Sequence, residues 1–200
     1  MSAARTRGLD SVAPVSLITD AVVRTDRLEL SPPTPDDLAQ LHRIQTDPRV
    51  WTHFPSIRPT EIEQTRALIE RWTGNWQRDG LATWIVRLRG TTAIIGSGGC
   101  SVRSNAFWNL GYRFDADLHG QGYATEVSST AIRRAREVRP ELPIIAYLLE
   151  HNVASARVAE KVGLELVHRA PDAGNPDPQA IRLIYADRPL DPEVLDVALG

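Results

Sequence analysis

The stretch His119-Gly120-Gln121-Gly122-Tyr123-Ala124 is the part of this 200-residue chain whose residue types and spacing point most directly to chemistry. Two glycines, two positions apart, permit a tight backbone and the close approach of a ligand. The residues after them read as a helix running to about Val138. A helix start offers free N–H groups at the positive end of its dipole. The combination suits a pyrophosphate. Taken alone, it fits a tight strand-to-helix turn equally well. It is not a dinucleotide fingerprint, which needs a third glycine after an early strand. Here alanine follows the glycine pair, late in the chain.

Side chains suited to proton transfer are few. Glu150 and His151 close an apolar run beside Asn152, Tyr112 lies on a strand, and His53 lies in an aromatic segment. A histidine titrates near neutral pH and so suits proton transfer there. Cys100 is the single cysteine, which leaves no internal disulfide and no Cys-rich metal site. Its strand position predicts a buried, inert thiol.

These residues need elements to hold them. Alternation over Arg27–Leu30 predicts a first strand, broken by Ser31 to Pro35. Thr34, Pro35 and Asp37 form a helix start, and that helix ends before Pro48. Val50-Trp51-Thr52-His53-Phe54-Pro55 is either core or the wall of a substrate cleft. A second helix starts near Thr60 and is expected to end near Gly74. Strands follow at Ala82–Leu88, from Thr92 to Ile95 with Gly96-Ser97-Gly98-Gly99 interrupting, and at Phe107–Phe114. The continuous apolar run Pro143–Leu149 suits a strand buried on both faces. Asn152–Lys161 is helical with Gly163 as its cap, and Leu164–His168 and Ala180–Tyr185 are the last strands. The order predicts an α/β fold with a central mixed sheet of about seven strands and about four helices. Residues 1–22 read as a flexible N-terminal arm, 23–188 as a single domain, and 189–200 as a surface tail.

Bulk properties exclude some classes. Net charge is -2 from 23 basic and 25 acidic residues, which does not suggest nucleic acid as a bulk partner. No run approaches the roughly 20 apolar residues of a membrane span, and no signal peptide is evident. A cytoplasmic protein is expected.

Gly111 to Glu126 (GYRFDADLHGQGYATE) resembles the cofactor motif of the GCN5-related N-acetyltransferase (GNAT) superfamily, with His119 where Gln or Arg is usual. The run Gly122 to Glu126 resembles the ribosomal-protein alanine acetyltransferase-like (RimJ/RimL-type) branch, as do Thr25–Leu30 and Asp47-Pro48. Asn152–Leu164 (NVASARVAEKVGL) resembles the second cofactor motif, Asn-x-x-Ser-x-x-x-x-Glu-Lys-x-Gly-Phe. The likeness spans about residues 23–187, and 96–163 form its acetyl-CoA-binding core.

The resemblance implies a mostly antiparallel sheet splayed between its fourth and fifth strands, Phe107–Phe114 and Pro143–Leu149. It assigns the pantetheine arm to the backbone of Tyr112, Arg113 and Phe114. The pyrophosphate falls to His119, Gly120, Gln121, Gly122, Tyr123 and Ala124. Asn152 and Ser155 would lie near the pantetheine and thioester, with helix capping and helix surface as the plain alternatives. Arg157 or Arg113 would meet a coenzyme phosphate, with a solvated surface position as the alternative. The implied reaction is direct attack of a primary amine on acetyl-CoA in a ternary complex, with no metal. The acceptor is a protein N-terminus or a small-molecule amine, with Trp51, His53 and Phe54 lining its side. Neither common proton-transfer solution stands in place. Phe107 to Leu110 hold no carboxylate, and Ala159 occupies the position of the usual tyrosine. Glu150 and Ser155 are the catalytic candidates. An acyl-CoA-binding sensor with little catalysis is the alternative function, and a homodimer is one assembly the tails allow.

Overall fold

A computed structural model describes residues 21–173 and 175–200. All but the last two residues of the expected N-terminal arm lie outside the described residues. The elements are β1 (Val23–Arg24), β2 (Leu28–Ser31), α1 (Leu38–Thr46), α2 (Ile62–Asp79), β3 (Thr83–Leu88), β4 (Ile94–Arg103) and β5 (Phe107–Phe114). There follow α3 (Tyr123–Val138), β6 (Ile144–Leu149), α4 (Val153–Lys161), β7 (Glu165–Pro171), β8 (Ile181–Ala186) and α5 (Pro192–Leu199).

The strands form one eight-stranded sheet in the order β1-β2-β3-β4-β5-β6-β8-β7. The strand beyond the expected seven is β1, a two-residue edge pairing Val23 with Leu30 and Arg24 with Glu29. Every neighbouring pair is antiparallel except β5 and β6, which run parallel. Those two pair only at Trp108–Ile144 and Asn109–Ile145, then diverge. Beyond this point β5 stays on β4 through Phe114, while β6 stays on β8 through Leu149. The expected splay is present, and it opens a wedge in the middle of the sheet.

Alternation along the strands sorts side chains onto two faces. Trp84, Gly98 and Tyr112 share one register row, and Ile85, Ser97 and Arg113 share the next, facing the other way. The first face packs on α3, where Trp84, Cys100, Trp108 and Leu110 meet Val127, Ala131 and Ala135. The second packs on α1 and α2, with Ile85 and Ile94 against Leu41, Ile44, Ile69 and Trp72.

Three local expectations change. The glycines at 96, 98 and 99 do not interrupt a strand, because β4 runs unbroken from Ile94 to Arg103. They are there for space. A Cβ at Gly98 would lie 2.8 Å from the Val127 side chain, and one at Gly99 would lie 2.5 Å from the Ala82 carbonyl. Helix α2 continues past Gly74 and ends at Gly80, whose φ of 71° supplies the left-handed cap. Residues 189–200, expected as a surface tail, contain α5. Its Ala198 is buried, and Val194, Leu195 and Leu199 pack over Phe107, Ile145, Ile184 and Ala186. Arg182 donates to the carbonyls of Ala198 (2.9 Å) and Leu199 (3.1 Å), satisfying the helix's last acceptors.

Candidate active site

The polypeptide leaves β5 through Asp115, passes a single 3₁₀ turn at Ala116–Leu118, and enters α3 through the two glycines. Gly120 and Gly122 have φ of 80° and 82°, a left-handed conformation in which glycine carries no Cβ penalty. Among the described residues, the amide N–H groups of 120–125 donate to no protein acceptor, and the first amide of α3 to find one is Glu126, bonded to the Gly122 carbonyl. A Cβ built at Gly120 meets nothing within 4 Å, so this cradle faces open space. Unpaired donors, a helix dipole and an open approach together suit an anion.

The loop is braced from behind. Arg27 donates to the Gln121 carbonyl at 2.8 Å and to Glu126 Oε2 at 2.7 Å, and its guanidinium lies 4.6 Å from the Tyr123 ring centroid. Thr25 donates to the other Glu126 oxygen at 2.5 Å. Burial raises the Glu126 carboxyl, but the hydrogen bonds from Thr25 and Arg27 outweigh it and hold it below the usual range. His119 ties the loop to the strand end, its Nε2 lying 3.1 Å from the Phe114 carbonyl.

Two adjoining cavities follow the wedge. One, of about 400 Å³, runs from the loop 118–125 to α4. The other, of about 230 Å³, lies between the diverging β5 and β6. His53, Tyr112, Arg113, Asn152 and Ser155 line both, so the two form one cleft. The first motif and the second therefore meet across a common space. Asn152 caps α4, its Oδ1 accepting from the Ser155 amide at 3.1 Å. Ala154, Arg157, Val158 and Lys161 continue one helical stripe down the cleft wall. Neither Arg157 nor Lys161 has a carboxylate partner among the described residues. Lys161 was missed from sequence, although its spacing from Arg157 and Ala154 is the signal that finds it.

Tyr112 points from β5 toward α3, packed against the core there. Burial raises its phenol, and a hydrogen bond with Ser155 pulls part of the way back. The hydroxyl therefore stays protonated above the ordinary tyrosine range. His53 is half-buried, and its ring is pushed down to about 4 by burial, reinforced by Arg113, His151 and His119. It is a neutral imidazole at physiological pH.

Several expected roles need correction. Glu150 lines neither cavity and is bound by Arg169 at 2.7 and 3.1 Å. The hydrogen bond from Arg169 lowers its carboxyl further, which makes it a poor base. Arg113 lines the cleft and is not the solvated surface arginine that was the alternative. It lies on the α1–α2 side of the sheet, 3.3 Å over the Trp51 ring, and donates to the Val50 carbonyl at 2.6 Å. Trp51 is thus a buried platform, its own Nε1 bonded to the Gln45 carbonyl at 2.6 Å, rather than a cleft wall. Phe54 lines neither cavity, and Gln121 offers the nest only its amide. Cys100 is fully buried, and that burial raises its thiol.

Residues 27–165 match the family profile described as acetyltransferase (GNAT) domain. The chain belongs to the GNAT family. Uncharacterized protein YkkB of Bacillus subtilis (strain 168) is 28% identical to this GNAT protein over 144 residues, covering 70% of this chain and 83% of the relative. An acetyltransferase from Agrobacterium tumefaciens str. C58 is 24% identical in structural alignment, with a TM-score of 0.66, covering 91% of this chain and 99% of that one. RimL, the ribosomal L7/L12 alpha-N-protein acetyltransferase, solved in complex with coenzyme A, has a TM-score of 0.69 at 20% identity, covering 85% and 98%. These two structures share the fold. Membership supports acetyl-CoA-dependent acyl transfer at the level of the superfamily. No helix of the GNAT domain is long and apolar enough to cross a membrane, and no group of three metal-ligating side chains is found among the described residues.

Proposed function

We propose that the protein is an N-acetyltransferase that moves an acetyl group from acetyl-CoA to a primary amine in a ternary complex. The observation that carries this is the splay of β5 from β6, which opens directly onto the unpaired amides of 120–125. The residues present fit the coenzyme. The nest and the free cations Arg157 and Lys161 suit its phosphates, and the unpaired edges of β5 and β6 suit its amide-rich arm. When bound, acetyl-CoA supplies an activated thioester carbonyl.

The chain's own residues then orient and move protons. Tyr112 and Ser155 meet across the cleft through a hydrogen bond, and this hydroxyl pair is the proton donor at the leaving sulfur. Position 159, where the resemblance leads one to expect a tyrosine, is a buried alanine. Tyr112 reaches the same space from the opposite wall. No carboxylate lines the cleft, so the amine enters through its free-base fraction or loses its proton to water. Cytoplasmic action and the RimJ/RimL-type branch accompany this reading, the latter resting on Gly122 to Glu126.

The lack of a cleft carboxylate favours a second reading, an acyl-CoA-binding module with little catalysis. A thiol-release assay with acetyl-CoA over peptides, amino acids, polyamines and amino sugars decides between them. Turnover of any amine supports the enzyme, binding without turnover supports the module, and no binding of acetyl-CoA sinks both.

A further inference from the structure

Arg113 is a part-buried guanidinium on the cleft wall with no carboxylate partner among the described residues. Its protein contacts are the Val50 carbonyl and the Trp51 ring, which leave most of its donors without an acceptor. Burying a cation without an anion is costly, and burial lowers this arginine to about 10. The cavity walls it helps form hold no Asp or Glu. Among the described residues Asp47 and Asp117 pair with Arg49 at 2.7 and 2.6 Å, Asp115 with Arg43 at 4.0 Å, and Glu150 with Arg169.

Arg113 shares the larger cavity with the phosphate nest but enters it from the other face of the sheet. Arg113 and Tyr112 are neighbours on β5 and face opposite sides of the sheet. Tyr112 looks toward α3, whose N-terminus forms the nest. Arg113 looks toward the segment 50–53, with His53 beside it on the cavity wall. That side of the wedge lies opposite the face on which α3 packs. A planar guanidinium stacked on an indole keeps a fixed orientation, which favours bidentate capture of carboxylate or phosphate.

Resting on the acetyltransferase reading, we infer that the acceptor carries an anionic group, a carboxylate or a phosphate, close to its amine, and that Arg113 holds it. The amine is then fixed beside the wedge while its counter-charge lies on the α1–α2 side. Polycationic amines are disfavoured by the same arrangement, since the cleft offers them no anion.

The test uses the full chain and thiol release with acetyl-CoA. One arm compares α-amino acids with their amides. The other compares 2-aminoethyl phosphate with ethanolamine. The expected result is a kcat/KM about 10- to 100-fold higher for the anionic member in at least one arm. That arm names the anion. Arg113→Met should abolish the preference by raising the acceptor KM, with the KM for acetyl-CoA unchanged. Arg113→Lys should keep part of it. Equal or better turnover of the neutral members in both arms overturns the inference. So does an Arg113→Met variant that raises the acetyl-CoA KM and keeps the acceptor preference. Should Arg113→Met not fold, the wild-type ratios and Arg113→Lys decide. If no amine turns over, the acetyltransferase reading fails by itself. The same pairs are then titrated calorimetrically into CoA-loaded protein. Anion-dependent binding weakened in Arg113→Lys sustains the anion site, and its absence overturns it.

Discussion

Tyr112 carries the clearest chemical consequence of a single side chain. Its phenol is raised by burial, so the proton it donates stays available through neutral pH and is lost only above the ordinary tyrosine range. The alkaline limb of the kcat profile should therefore fall above that range. Tyr112→Phe should lower kcat about 10- to 100-fold and remove that limb, with the Kd for CoA unchanged. A rate profile identical to wild type would assign the proton to Ser155 or water. His53 works in the other direction. Lowered to about 4, it gains no charge between pH 5 and 9 and leaves Arg113 as the cation on its side. The left-handed turn into α3 was legible from the spacing of Gly120 and Gly122, while the ligand it would hold was suggested only by the resemblance to the cofactor motif. The role of Arg113 was not legible. Alternation told which residues share its face, but the partner that fixes it, Trp51, is brought there by packing that no local pattern encodes.

At the scale of elements, the glycines of β4 show how a local reading can mislead. A run of Gly-Ser-Gly-Gly resembles a turn, since glycine weakens strands. The reason it is a strand lies on other elements, where Val127 of α3 and the carbonyl of Ala82 come too close for a side chain. Gly98→Ala should cost about 1–3 kcal/mol, by displacing Val127 and Tyr112, and should also lower kcat. Gly74→Ala is the matched contrast. It lies in the interior of α2 with nothing within 4 Å of a built Cβ, so it should stabilise by about 0.4–1 kcal/mol. Urea unfolding of both variants checks the pair. Helix α5 escaped the sequence for a related reason. Eight residues do not hold a helix in water without support, and its support is the sheet face formed by Phe107, Ile145 and Ile184.

At the scale of the whole molecule, the chain is built as two contiguous halves. Residues 21–138 supply β1 to β5 with α1 to α3, and residues 144–199 supply β6 to β8 with α4 and α5. Each half contributes one wall of the cleft and one of the two resembling motifs. Helix α5 returns from the second half to cover Phe107 of the first. Deleting residues 189–200 should therefore lower stability by about 2–4 kcal/mol and expose the apolar face beneath. A drop in Tm with increased binding of a hydrophobic dye would register both effects. An unchanged Tm would show that α5 adds nothing to the union of the halves.

The two registered pairs between β5 and β6 have a mechanical consequence. A seam of two rungs is where the sheet resists parting least. Any molecule that threads the wedge adds rungs of its own, and its binding free energy becomes resistance to opening. Saturating CoA should slow amide exchange along both diverging edges, 110–114 and 146–149, in concert. Protection confined to 120–125 would mean that the ligand rests on the nest without stitching one half to the other.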